Sequence, residues 1–249
     1  MNENVYTSDL QAVFAEQVSA AFHNIILNQL LQVNNRQLKK AYTNLEKGYM
    51  DTIEALRLLV DAKDIYTRGH SDRVAYYAVM LAKTMGKSES CVERVRAAGM
   101  LHDIGKIGIS DAILKKSSKL TDVEYNSVKK HPRIGANILS RMTMFHSIGD
   151  IVCAHHERYD GAGYPNRLCG DEIPEEARMI AIADAFDAMM SDRHYRKKLT
   201  LDACIQELKD GKGTQFDGRM VDVFLGLLED FYKMERELRW TYEQQEETL

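Results

Sequence analysis

Residues 98–110 read AGMLHDIGKIGIS, a stretch in which a helical pattern ends at a histidine followed by an aspartate. We predict a helix over 88–103, because Gly105 and Gly108 interrupt the pattern directly afterwards. Lys106 lies between these glycines. An isolated His-Asp pair is more often a helix end with an exposed acid than a metal site. The pair becomes a candidate metal site only if other potential ligands lie close to it in the fold.

Helical patterns continue on both sides of this turn, and no segment shows the alternation typical of a half-buried strand. Thr67, Arg68 and Gly69 separate the two helices predicted upstream of the turn. Thr121 and Glu124 have the spacing of a capping box, which predicts a helix start. In addition to 88–103, helices are predicted over 50–66, 70–85, 121–130, 133–142, 147–156, 176–191, 200–210 and 219–238. The sequence therefore predicts an all-α, multi-helix bundle.

One long irregular segment interrupts this helical pattern. Residues 157–175 (ERYDGAGYPNRLCGDEIPE) are rich in glycine and contain two prolines. Long loops in compact domains are commonly functional. We therefore expect this loop to contribute to the site.

The N-terminal part is predicted to be a long helical arm over 9–48. Leu38, Tyr42, Leu45 and Tyr49 are spaced by 4, 3 and 4 residues. A mean spacing of ~3.5 is typical of a coiled-coil seam. We expect a homodimer through this N-terminal helix, and the alternative is an amphipathic helix packed on its own domain.

The charge balance limits the classes of partner. The 249 residues contain 33 Lys+Arg and 37 Asp+Glu, for a formal net charge of −4. We therefore expect no sequence-independent binding to long nucleic acid, although a local basic pocket is allowed. No membrane span and no secretory signal are expected. The four cysteines form no CxxC pair, so we expect reduced cysteines and a cytoplasmic location.

Five histidines and two aspartates lie at predicted helix ends or on a helix poor in bulky side chains. They are His70, His102, Asp103, His131, His155, His156 and Asp184. Asp184 interrupts an apolar helix, where an unpaired carboxylate is unfavourable and needs a cation partner. Imidazoles with carboxylates are ligands for Fe, Mn or Zn. Seven ligands exceed what one ion with open positions needs and suit two bridged ions, which hydrolyse phosphate esters.

Three cations are candidates for binding phosphate oxygens. Lys106 follows the His-Asp pair, and Arg193 and Arg196 follow the Asp184 helix. The alternative is that Lys106 is an ordinary surface lysine and that both arginines belong to a solvated charge run.

At this point the residues resemble a known family. HDIGK (102–106) followed by HHERYDGAGYP (155–165) is similar to the HD-GYP family of bacterial cyclic di-GMP phosphodiesterases, a branch of the HD phosphohydrolases. The similarity covers roughly residues 50–230. It implies an HD-domain bundle over 50–232, a signalling or coiled-coil helix over 1–49 and a C-terminal helical tail over 233–249.

The resemblance implies a role for each candidate residue. The seven His and Asp residues become metal ligands, and Asp103 and Lys106 the catalytic residues. Arg193 and Arg196 bind the substrate together with Lys106. The family's signature is Gly163-Tyr164-Pro165, beside the substrate pocket, and it is also linked to contacts with diguanylate cyclase (GGDEF) domains.

The implied reaction is hydrolysis of cyclic di-GMP to pGpG by a hydroxide that bridges two divalent metal ions, and whether pGpG or GMP is the end product stays open. Fe or Mn is expected, with Ni, Zn or Mg as alternatives. Some members hold a third ion with a Glu one turn before the first ligand histidine; Tyr66 takes that position here, so we expect two ions.

Two other functions stay open. In the first, the domain hydrolyses another cyclic dinucleotide, such as a GMP–AMP hybrid. In the second, the domain is a non-catalytic module that binds cyclic di-GMP or docks a cyclase. Residues 10–32 resemble the last helix of a GAF domain. The chain is therefore either a fragment of a longer sensor protein or an enzyme that kept this connector.

Overall fold

The structure is a computed structural model that describes residues 3–63, 69–116, 118–192 and 197–228. These residues form ten α-helices and contain isolated β-bridges but no β-strand, so the all-α prediction is confirmed. The helices are α1 (Glu3–Lys63), α2 (His70–Thr84), α3 (Glu89–Leu101), α4 (Asp111–Leu114), α5 (Asp122–Val128), α6 (His131–Leu139), α7 (Gly149–Ala154), α8 (Glu175–Met190), α9 (Leu201–Asp210) and α10 (Gly218–Gly226). Short 3-10 helices lie at Ile104–Gly108, Thr143–Ile148 and Gly170–Glu172.

Several predicted helix boundaries are wrong, including those of α6, which spans His131–Leu139 instead of 133–142. The helices predicted over 9–48 and 50–66 form one continuous helix that ends at Lys63. A single glycine there, Gly48, weakens a helix by only ~1 kcal/mol, which flanking helical turns offset. The helix predicted over 219–238 ends at Gly226, and the residues beyond 228 lie outside the described part.

The chain divides into two compact units between Asp51 and Thr52. In the first unit, large apolar side chains of α1 are exposed, including Phe14, Phe22 and Leu38. Among the described residues, no helix combines the length and the hydrophobicity that crossing a membrane requires.

The core of the second unit contains three aromatic rings from three helices. Tyr77 of α2, Phe186 of α8 and Phe224 of α10 are buried, and the ring of Phe186 lies 5.3 Å from Tyr77 and 5.2 Å from Phe224. Burying each such side chain contributes ~1.5–3 kcal/mol. This cluster packs α8 against α2, which fixes the distance between Asp184 and His70.

Glycines allow a second close approach, between the turn after α3 and the start of α6. A Cβ on Gly105 would lie 1.9 Å from the carbonyl oxygen of His131. A Cβ on Gly135 would lie 3.2 Å from the amide nitrogen of Gly105. The contact at Gly105 is open only to glycine, and the contact at Gly135 is tighter than most Cβ contacts. They hold the turn that carries Asp103 against the helix that begins at His131.

The predicted helix starts at His70 and Thr121 have clear local causes. Gly69 precedes α2 in a left-handed conformation with φ 70°, which glycine adopts without strain. Thr121 caps α5 through its hydroxyl, and Glu124 accepts a 2.7 Å hydrogen bond from the amide of Thr121. The capping box is therefore confirmed. Hydrogen bonds from Lys116 and Thr121 lower the pKa of Glu124 to about 2.

Candidate metal centre

The candidate ligands form two clusters of three side chains. One contains His131, His155 and His156, and the other contains His70, His102 and Asp184. Within each cluster the potential ligand atoms lie within 4.8 Å of one another. The clusters adjoin, because the rings of His102 and His155 are 5.2 Å apart. Residues that span more than a hundred positions in the sequence therefore meet at one place.

Three of the histidine rings are oriented by backbone carbonyls of their own helices or turns. Nδ1 donates to the carbonyl oxygen three residues earlier, over 2.7 Å in His102, 2.8 Å in His131 and 2.6 Å in His155. Such bonds assign the proton to Nδ1 and leave the Nε2 lone pair directed away from the helix. Helix-end positions produce this arrangement, since the last carbonyls of a helix lack amide partners.

Asp103 connects the two clusters. Its Oδ1 lies 3.2 Å from Nε2 of His131, and its Oδ2 lies 3.4 Å from Nε2 of His102. Lys106 lies 2.8 Å from Oδ2. Burial disfavours the charged carboxylate, but Lys106 and the histidines outweigh it and hold the pKa of Asp103 well below its usual range. The ionised Asp103 therefore has one oxygen facing each cluster.

His70 lies between two carboxylates of α8. Its Nδ1 is 2.6 Å from Asp187, and its Nε2 is 3.3 Å from Asp184. Burial alone would lower the pKa of His70, but the two carboxylates raise it to about 9. In the absence of a metal ion the protonated His70 is thus the cation beside Asp184, and a metal ion bound there would displace the proton from Nε2.

The other cluster favours neutral imidazoles. Burial lowers the pKa of His131 and His155, and it lowers that of His156 to about 4. Nε2 of His131 and Nε2 of His155 face each other at 3.3 Å. Neutral imidazoles with converging lone pairs are ready ligands, because metal binding then displaces no proton.

Another observation tests whether these residues fit metal ions. Nε2 of His102 is buried and has no hydrogen-bond partner in the described part of the chain. A buried polar atom without a partner is unfavourable, and a coordinated ion removes the penalty. Five imidazoles with two carboxylates suit Fe, Mn, Ni or Zn. The residues therefore fit metal ions.

The glycine-rich loop packs on this centre. Tyr164 donates its amide to the carbonyl of His156 over 3.2 Å, and the two rings lie 4.9 Å apart. The peptide bond between Tyr164 and Pro165 is cis. Gly163 has a steric role, since a Cβ there would lie 2.3 Å from the amide nitrogen of Arg158. Gly163, Tyr164 and Pro165 line a cavity of about 980 Å³ that His156 also borders.

Three residues that entered the predictions lie outside the described part of the chain. Arg193, Arg196 and Tyr66 lie outside the described residues. The predicted roles of both arginines, and the inference of two ions drawn from Tyr66, remain predictions.

Several residues at the site were not predicted from the sequence. Asp187 is a second buried acid one turn after Asp184, and that spacing could have identified it. Arg73 pairs with Asp187 over 2.6 Å. Glu157 is buried and accepts hydrogen bonds from the amides of Asn166 and Leu168. Its place directly after His155-His156 was the only sequence signal for it.

Comparisons with known proteins agree with this geometry. Residues 54–220 match the HD domain family. The chain is 40% identical over 192 residues to the cyclic di-GMP phosphodiesterase response regulator RpfG of Xanthomonas campestris pv. campestris, a match over 76% of this chain and 51% of that protein. It is 37% identical over 187 residues to 3′3′-cGAMP-specific phosphodiesterase 3 of Vibrio cholerae, over 75% of this chain and 41% of that protein. The chain thus spans about half the length of these curated relatives.

A solved structure shows the same fold. Bd1817, a HDG"Y"P protein from Bdellovibrio bacteriovorus, superposes with a TM-score of 0.55 and 19% sequence identity, over 67% of this chain and 53% of that one. At this identity the likeness concerns the fold alone.

Proposed function

The chain belongs to the HD domain family, in its HD-GYP branch, and we propose that it is a metal-dependent phosphodiesterase that hydrolyses cyclic di-GMP to pGpG, with GMP as an alternative end product. One observation carries this proposal: the two oxygens of Asp103 face two separate clusters of ligand atoms. A bridging carboxylate between two such clusters is typical of binuclear hydrolases.

Two divalent ions, Fe or Mn in preference to Ni, Zn or Mg, complete the proposed centre. His70, His102 and Asp184 would hold one ion and His131, His155 and His156 the other, with Asp103 between the two clusters. When bound, the ions supply the positive charge and the acidity that turn water into a nucleophile at neutral pH.

The protein's own residues bind and orient the substrate. Lys106 is proposed to donate its ammonium to a non-bridging phosphate oxygen, and its position 2.8 Å from Asp103 supports this role. Tyr164 packs on His156 and keeps that ring in place, while Gly163 and Pro165 shape the wall of the cavity. Arg193 and Arg196 are proposed to bind the phosphates on the strength of the sequence resemblance.

The deciding experiment combines metal analysis with turnover. Protein purified without oxygen and loaded with Fe(II) or Mn(II) is expected to contain about two ions per chain and to convert cyclic di-GMP to pGpG. Metal-loaded protein that binds cyclic di-GMP but leaves it intact for hours would refute the enzymatic function and favour the non-catalytic module.

The choice of cyclic dinucleotide needs a separate assay. A relative that is 37% identical is named as specific for 3′3′-cGAMP, so a GMP–AMP hybrid is the second candidate substrate. The ratio of kcat/KM for the two dinucleotides, measured side by side, discriminates between them. We expect the ratio to favour cyclic di-GMP.

The partners and the surroundings of the domain complete the proposal. The exposed apolar residues of α1 support a homodimer through the arm, which light scattering of the full chain tests. We further propose that a GGDEF domain docks at the Gly163-Tyr164-Pro165 loop and that residues 10–32 have a GAF-like origin. The proposed domain limits are 1–49, 50–232 and 233–249. The four cysteines are free, in keeping with a cytoplasmic location.

A further inference from the structure

The cavity beside His156 is strongly basic. Four of the described residues that line it are cationic and none is acidic: Lys129, Lys130, Arg158 and Arg167. The chain as a whole has a net charge of −4, so this concentration of positive charge is local. Positive clefts attract anionic ligands and raise their local concentration. The cavity is therefore suited to a ligand that carries phosphate.

Two of these cations are available for such a ligand. Arg158 is paired with Asp160 over 2.6 Å, and the ammonium of Lys129 lies 4.8 Å from the ring centroid of Tyr125. Lys130 and Arg167 form no ion pair with a carboxylate among residues 3–63, 69–116, 118–192 and 197–228. Guanidinium and ammonium groups without a carboxylate partner are the groups that bind phosphate oxygens.

The loop holds Arg167 in a fixed position relative to the metal centre. Arg167 has a positive φ of 58°, a conformation that non-glycine residues rarely adopt. The amides of Asn166 and Leu168, on either side of it, both donate to the buried carboxylate of Glu157, over 2.6 and 3.2 Å. Glu157 directly follows His156. Strained backbone that the surroundings stabilise in this way is typical of ligand sites.

The same cavity contains an aromatic side chain that is open to a base. The side chain of Tyr125 is 50% exposed although it lines the cavity. Exposed aromatic rings beside cations are the usual platform for stacking nucleotide bases. Lys129 above the ring keeps it in place.

The inference drawn from these observations concerns the substrate of the proposed function and rests on that function. A cyclic dinucleotide has two phosphodiesters and two bases, and only one ester can be at the metal centre. We propose that Tyr125, Lys130 and Arg167 form a subsite for the nucleotide half that is not being cleaved. Lys130 and Arg167 bind the second phosphate, and Tyr125 stacks against its purine. The volume of about 980 Å³ leaves room for that half.

The test compares a substrate that has a second half with one that lacks it. Metal-loaded Arg167→Gln, Lys130→Gln and Tyr125→Ala proteins are assayed with cyclic di-GMP and with bis(p-nitrophenyl) phosphate, which has one phosphate and no purine. For each variant, kcat/KM for cyclic di-GMP divided by kcat/KM for the small diester is expected to fall by about tenfold or more, chiefly through KM.

Matched controls separate the subsite from general effects. Tyr125→Phe keeps the stacking ring, and Lys209→Gln removes an exposed lysine of α9 that does not line the cavity. Both are expected to keep the wild-type ratio. Melting curves and metal content show that the variants are folded and loaded.

Equilibrium binding of a hydrolysis-resistant phosphorothioate analogue of cyclic di-GMP tests the subsite independently of hydrolysis. If the wild type binds the analogue but cleaves neither substrate, the proposed function fails, and reduced analogue affinity of the three variants still supports the subsite. The subsite is overturned if the wild type does not bind the analogue, or if every variant stays within about twofold of the wild type in ratio and affinity.

Discussion

The carboxylate of Asp187 lies 2.6 Å from Nδ1 of His70, although the two residues are 117 positions apart in the chain. The same carboxylate accepts hydrogen bonds from Nε and Nη2 of Arg73, over 2.6 and 3.1 Å. Asp184 and Asp187 are one helical turn apart on α8, so both face the same imidazole ring. His70 is therefore oriented with Nε2 toward Asp184, as a ligand of a metal ion has to be.

Asp187→Asn should weaken metal binding at the cluster of His70, His102 and Asp184. Asparagine can still accept a hydrogen bond from His70, but it lacks the charge that increases the basicity of the ring and balances Arg73. Partners of this kind typically contribute 10–100-fold in metal affinity, so a loss of about that size is expected. Competition with a chromogenic chelator measures it. Asp202→Asn, an exposed acid in the first turn of α9, is the control, and equal affinities of the two variants would contradict the role of Asp187.

Asp103→Asn should remove the link between the two clusters. The variant is expected to contain at most one ion per chain and to lose turnover by about a thousandfold or more, because charge stabilisation of several kcal/mol is lost. Metal analysis and cyclic di-GMP hydrolysis, measured on the same sample, check both effects. Two bound ions together with undiminished turnover would show that Asp103 does not bridge.

Removing metal should destabilise the second unit. The candidate ligands come from α2, α6, α8 and the ends of α3 and α7, so a bound ion joins elements that are distant in sequence. Free metal at about a hundred times its Kd adds ~2.7 kcal/mol to the free energy of unfolding, which corresponds to a rise in Tm of roughly 5–10 °C. Melting with a chelator and with added Mn(II) tests this. Asp103→Asn is the control, and an equal rise in that variant would indicate binding elsewhere.

Gly163→Ala should destabilise the loop for a steric reason. The new Cβ would lie 2.3 Å from the amide nitrogen of Arg158 and 2.6 Å from Cα of Glu157, both backbone atoms that cannot rotate away. A free-energy loss of about 1–3 kcal/mol in urea unfolding is expected, as for overpacked sites. Gly226→Ala, where a Cβ meets nothing within 4 Å, is the matched control and should be neutral or slightly stabilising. Equal stabilities of the two variants would contradict the steric explanation.

The capping box of α5 should add a pH-dependent contribution to stability. The pKa of Glu124 is about 2 in the folded protein and 4.5 ordinarily, so its contribution is fully present above pH 4.5 and is lost as the pH falls toward 2. The difference in Tm between the wild type and Glu124→Gln should therefore shrink between pH 5 and pH 3. Glu207→Gln on α9 controls for removal of an exposed carboxylate. A difference that stays constant over this range would refute the linkage.

Local patterns account for what could be predicted. The turn at His102-Asp103, the cap at Thr121 and the start of α2 at His70 depend on glycines, hydroxyls and helix periodicity within a few residues, and the structure has them at these places. The break expected between 48 and 50 failed, because a single glycine is too weak to end a helix. The boundaries of the short helices α4 and α7 also depend on tertiary packing.

The sequence alone determined the helical class, the identity of the seven candidate ligands and the need of Asp184 for a cation. These properties depend on side-chain chemistry and local spacing. The division of the ligands into two clusters, the position of Asp103 between them, the support of His70 by Asp187 and the basic cavity at Arg167 came from the folded molecule. Each of these joins side chains from different helices or loops, and their distances are set by the packing of aromatic rings and glycines between elements that no local pattern specifies.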